Sequence, residues 1–68
     1  MKNPEKVINT VSEMRKHRNV TQEQLADACG VTRQTIIAIE KGNYIPSVLL
    51  ALKISRYFKK PLETLFFY

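Results

Sequence analysis

A single cysteine cannot close an internal disulfide, and one cysteine with one histidine cannot build a structural zinc site. The stapled architecture of small secreted domains is thereby excluded. A reducing, cytoplasmic setting with no metal or cofactor is expected. Glycine occurs twice, proline three times and tryptophan not at all, so no flexible or low-complexity tract is present. No apolar run approaches the roughly 18–20 residues that span a bilayer. The opening MKNPEKVINT also lacks the apolar core of a secretory leader. His17 has no serine, cysteine or carboxylate partner at a recognisable spacing, so the chain does not read as an enzyme. Acidic residues are scarce. Six of them face eleven Lys/Arg, a formal charge of +5, which suits nucleic acid or an anionic membrane surface.

What remains is a folding composition: 44% of the residues are hydrophobic. Sixty-eight residues allow one domain, 1–68, with no linker or repeat. A domain this small buries only roughly 60% of its unfolded surface, so packing or oligomerisation must supply its stability.

Helix signals run from Asn9 onward. Asn9 or Thr10 can cap a first helix bearing Val11 and Met14. The segment Lys6-Val7-Ile8 before it is a brief edge strand or a frayed end. Thr21 and Gln24 form a capping box flanked by Val20 and Leu25, and Gly30 stops the second helix. Thr32 caps a third, stapled by Val31 and Ile36 and closed by Lys41-Gly42. Ser47 caps a fourth helix through Phe58. That helix is apolar at 48–52, 54, 57 and 58, more than one stripe requires, and should be the central buried helix. Lys59-Lys60-Pro61 breaks it, with Pro61 suited to the first position of a short fifth helix.

Two short helices about a glycine turn, over about residues 21–41, have the proportions of a helix-turn-helix. Thr21-Gln22-Glu23-Gln24-Leu25-Ala26, Gly30-Val31-Thr32-Arg33-Gln34-Thr35-Ile36 and Ile39-Glu40-Lys41-Gly42 resemble the phage-repressor/Cro (Xre-type) helix-turn-helix family. Pro46-Ser47 with Leu50 to Ile54, and Pro61 to Phe66, resemble that family's fourth and fifth helices. The resemblance spans about Val11 to Phe66 and is nearest to the compact members made of the DNA-binding domain alone. It implies an all-α, five-helix fold that binds double-stranded DNA as a homodimer.

The third helix supports this independently. At about 100° per residue, with Arg33 at zero, Ile37 lies at about 40°, Lys41 at about 80°, Gln34 at about 100° and Ala38 at about 140°. Ile39 and Ile36 fall on the opposite side. Arginine pairs with guanine, glutamine with adenine and an apolar group with the thymine methyl, so Arg33, Gln34, Ile37 and Ala38 are the expected base contacts. For Ile37 the alternative is a lone exposed apolar residue. Phosphate contacts are expected at Gln22, Thr32, Lys41, Asn43 and Tyr44. Gln22, Lys41 and Asn43 enter through the resemblance; for Gln22, the N–H groups at its helix end independently favour an anion. Tyr44 has covering the core edge as its alternative. Glu40 falls at the core boundary, and the resemblance pairs it with Arg15. Cys29 reads as a small core residue.

The segment of about 61–68 is the expected dimerisation element, through Leu62, Leu65, Phe66, Phe67 and Tyr68. Its alternative is folding back on its own core, pairing as a strand with Val7-Ile8. A competing functional reading is an antitoxin-like module whose exposed aromatics dock a protein partner and whose DNA binding is secondary. A membrane-surface peptide is disfavoured by two capped, stapled helices. An RNA-binding role has the charge but no aromatic stacking platform.

Overall fold

The computed structural model describes residues 5–68. Residues 1–4, which open the segment read above for a leader, lie outside them. Five helices follow one another: α1 (Val11–His17), α2 (Gln22–Cys29), α3 (Arg33–Glu40), α4 (Val48–Phe58) and α5 (Leu62–Leu65). Two short strands, β1 (Ile8–Asn9) and β2 (Phe66–Phe67), flank them. They pair antiparallel, Ile8 opposite Phe67 and Asn9 opposite Phe66, so both ends of the described chain meet in one ribbon.

The helix starts are fixed by side chains three residues apart. At α2 the Gln24 N–H donates to Thr21 Oγ1 at 3.0 Å, and the Thr21 N–H donates to Gln24 Oε1 at 2.9 Å. Thr32 and Ser47 accept in the same way from the N–H groups of Thr35 and Leu50. At α1, Thr10 does not cap. The Val11 N–H donates to Asn9 Oδ1, which frees the Thr10 hydroxyl to donate to the Thr64 carbonyl at 2.9 Å. Pro61 precedes α5 rather than opening it.

Gly30 ends α2 at φ +70°, in the left-handed region, and nothing lies within 4 Å of where its Cβ would be. Gly30→Ala should therefore lose about 1 kcal/mol from backbone strain alone, and Gly30→Asn less. Urea denaturation would check this; an alanine variant as stable as the parent would show that the turn tolerates an L-residue. Lys59 closes α4 in the same conformation without a glycine.

The core gathers Val11, Leu25, Ala26, Cys29, Ile36, Ile39, Leu50, Ile54, Phe58 and Leu65, one to three residues from each helix. Phe58 is the largest fully buried side chain, with the Arg18 guanidinium 5.6 Å from its ring centroid and Tyr57 edge-on to it. Two expectations change here. Only Leu50, Ala51, Ile54 and Phe58 of α4 are buried, while Val48, Leu49 and Leu52 face outward, so α4 is a half-buried helix rather than a central one. Leu65 is wholly inside the protomer's own core and has no surface to offer a partner; Phe66 packs against that core.

Candidate nucleic-acid interface

The α3 helix is held by two inward isoleucines, Ile36 and Ile39, against α2. That orientation leaves Arg33, Gln34 and Lys41 exposed, with Thr35, Ile37 and Ala38 half-buried between them. Ile37 is thus part of the floor of the outward face and not a lone exposed residue. Neither Arg33 nor Gln34 forms a side-chain hydrogen bond among the described residues, so both heads are available to a ligand.

A network under this face fixes its position. Arg15 on α1 donates from Nε to Glu40 Oε2 at 2.8 Å and from Nη2 to Glu40 Oε1 at 3.1 Å. Its Nη1 donates to the Val20 carbonyl in the α1–α2 turn at 3.0 Å. The two side chains are 12% and 7% exposed, so this forked pair is largely shielded from solvent. The hydrogen bond to Glu40 raises the Arg15 pKa above its usual value and holds the guanidinium charged. Glu40 is the last residue of α3, so one carboxylate ties α1 to the end of the outward-facing helix.

Gln22 joins the same carboxylate, its Nε2 donating to Glu40 Oε1 at 3.1 Å. Sequence reasoning missed this bond. Glu40 has more acceptor positions than one guanidinium fills, a hint that a third partner exists, but the residues are eighteen apart and no spacing rule names Gln22. The amide placed toward phosphate in the sequence reading is therefore turned partly inward. The backbone N–H groups of the first turn of α2 remain at the open helix end. An open cleft of about 780 Å³ brings that end together with Lys16, Asn19 and Arg33.

Lys41, Asn43 and Tyr44 are exposed beyond the C-terminal end of α3. Gly42 and Asn43 return their N–H groups to the Ile39 and Ala38 carbonyls, which closes the helix. Asn9 adds a contact that no local pattern announces: its Nδ2 donates to the Ile39 carbonyl at 2.8 Å. Thr32 is exposed, with its hydroxyl 3.1 Å from that of Thr35. Cys29 is buried; desolvation pushes its thiol above the usual range, partly offset by Lys53.

A capped helix, a left-handed glycine turn and a second helix with a basic, amide-bearing outer face define a helix-turn-helix DNA-binding domain. The chain belongs to the helix-turn-helix family HTH_3, whose model matches residues 11–65, and thus to a family of transcriptional regulators. It is 52% identical over 58 residues to the uncharacterised HTH-type transcriptional regulator YgzD of Bacillus subtilis (strain 168), covering 85% of this chain and 88% of that protein. Another uncharacterised HTH-type transcriptional regulator, from Methanocaldococcus jannaschii, is 52% identical over 60 residues, covering 88% of this chain and 91% of that protein. Among solved structures, the restriction-modification controller protein C.AhdI from Aeromonas hydrophila shares the fold. Its TM-score is 0.74 at 24% identity, covering 79% of this chain and 82% of that one. Among the described residues no helix is long and apolar enough to cross a membrane.

Proposed function

We propose that the protein is a cytoplasmic transcriptional repressor that binds a pseudo-palindromic operator as a homodimer, laying α3 into the major groove of each half-site. One observation carries this reading: Arg33 and Gln34 stand unbonded and exposed at the start of α3, beside the open N-terminal end of α2. A recognition helix reads base edges mainly with its N-terminal residues. Arg33 matches guanine and Gln34 adenine, while Ile37 and Ala38 offer methyl groups to thymine. Lys41, Asn43 and Tyr44 lie beyond the last turn, where the groove wall carries phosphates. Thr32 and the α2 end with Gln22 serve the opposite strand. Occupying the operator blocks other proteins from it, so repression needs no surface beyond this one.

The operator is first obtained by selecting bound sequences from random duplex DNA. Arg33→Ala or Gln34→Ala should then weaken operator binding by about 1–3 kcal/mol per half-site and relax sequence choice there. Lys41→Ala should weaken operator and scrambled duplex alike and flatten the slope of log K against log salt by about one unit per half-site. Titrations of each variant on both duplexes at several salt concentrations separate the two behaviours. Equal losses on both duplexes for Arg33→Ala, with preference intact, would remove α3 from base reading.

A further inference from the structure

Asn9 uses both ends of its side-chain amide inside the protein. Its Oδ1 accepts the Val11 N–H at 3.2 Å, and its Nδ2 donates to the Ile39 carbonyl at 2.8 Å. Only the nitrogen can donate to a carbonyl, so the amide has a single workable orientation. Its backbone is fixed as well. Asn9 pairs with Phe66 in the ribbon, and the next residue, Thr10, donates its N–H to the Leu65 carbonyl at 3.0 Å. The Ile39 carbonyl already accepts the Gly42 N–H at 3.0 Å. The bond from Asn9 is therefore not needed to satisfy that carbonyl, and its loss strands no polar atom of α3. What it supplies is position.

We propose that Asn9 is a positioning residue for base reading: without contacting DNA itself, it sets the angle at which α3 presents Arg33 and Gln34. The inference rests on the operator-binding reading and adds a determinant of its specificity. Leverage favours it. Arg33 and Ile39 lie near opposite ends of α3, about 9 Å apart along its axis, so a rotation of about 5° at the Ile39 end displaces Arg33 by about 0.8 Å. Base contacts tolerate little of this, since functional side chains must be held to within about 0.5 Å. The kind of grip favours it too. Arg15 and Gln22 hold α3 through the Glu40 side chain, whose torsions can absorb a tilt. Asn9 holds the helix backbone directly, from an element anchored elsewhere in the fold.

Asn9→Ser separates position from the local turn at α1. A serine hydroxyl still accepts from the N–H two residues on, more weakly, but is too short to reach Ile39. Asn9→Ala loses both contacts. At a temperature where circular dichroism shows all three proteins folded, both variants should bind the selected operator about tenfold more weakly than the wild type and scrambled duplex equally well. Asn9→Ala should melt below Asn9→Ser, although their operator affinities match. Backbone amide exchange followed by NMR should quicken at Lys41, Gly42 and Asn43 in both variants and stay unchanged across α2. Wild-type operator affinity in Asn9→Ser would overturn the proposal, as would unchanged exchange at the end of α3. Equal weakening on operator and scrambled duplex would also overturn it, by making Asn9 a phosphate contact. Each of these results leaves the operator-binding reading standing. A wild type that selects no sequence from random duplex would instead overturn that reading and this role together.

Discussion

Glu40→Gln should destabilise the domain by about 3 kcal/mol, because it leaves the Arg15 guanidinium charged and largely buried with its partner gone. A domain of this size has only about 3–10 kcal/mol to lose at the usual stability per residue, so the variant should sit at the edge of folding. Arg15→Met should also destabilise. The double variant should lose much less than the sum of the two, since an apolar replacement removes the desolvation problem along with the charge. Chemical denaturation of the four proteins measures the coupling. Raising the salt concentration should change it little, because a shielded pair is poorly screened. Strictly additive losses would show that the pair does not couple and would return Arg15 to the residues available to DNA. DNA binding supplies a second measure, since Glu40 also holds Gln22 and so connects α1, the start of α2 and the end of α3.

Phe58→Ala should be more damaging still. Phe58 is fully buried where α4 meets the other helices, and removing it costs roughly 3–5 kcal/mol through lost transfer energy and the cavity left behind. Arg18 loses the ring beneath its guanidinium as well. The variant should lack a cooperative thermal transition at 37 °C by circular dichroism, whereas Phe58→Leu should retain one. A loss under about 1 kcal/mol for Phe58→Ala would mean that α4 repacks freely and that the core is less defined than its burial indicates.

The helix boundaries were legible because their determinants are local. Thr21 with Gln24, Thr32 with Thr35, and Gly30 each act within one turn, and the sequence displays them side by side. The split of α3 into inward isoleucines and an outward Arg33–Gln34 face follows from helical periodicity in the same way. Arg15 with Glu40 was legible only through resemblance, twenty-five residues apart. The ribbon was an open alternative because two-residue strands carry no period to read. The outer face of α4 was misjudged for a different reason. Apolar residues all round a helix indicate full burial only if enough protein exists to cover it, and this domain covers one side. Leu65 illustrates the converse. Within a run of apolar residues, the pattern did not distinguish the one facing inward from neighbours left outside.

The ribbon has a kinetic meaning. The Thr10 contacts to Thr64 and Leu65 close a loop of more than fifty residues, whereas α2 and α3 meet through neighbours a few turns apart. Contacts of short sequence separation form first, and closure of the long loop bears the larger entropic penalty. Among the described residues the ribbon is therefore expected to form late and to fray first. Asn9 belongs to it, and Asn9 holds the Ile39 carbonyl in the last turn of α3. Each opening of the ribbon thus releases one clasp on α3 while the core beneath stays closed. Breathing of the ribbon is thus felt in the last turn of α3, the helix proposed above to face DNA, and ordering the ribbon tightens it.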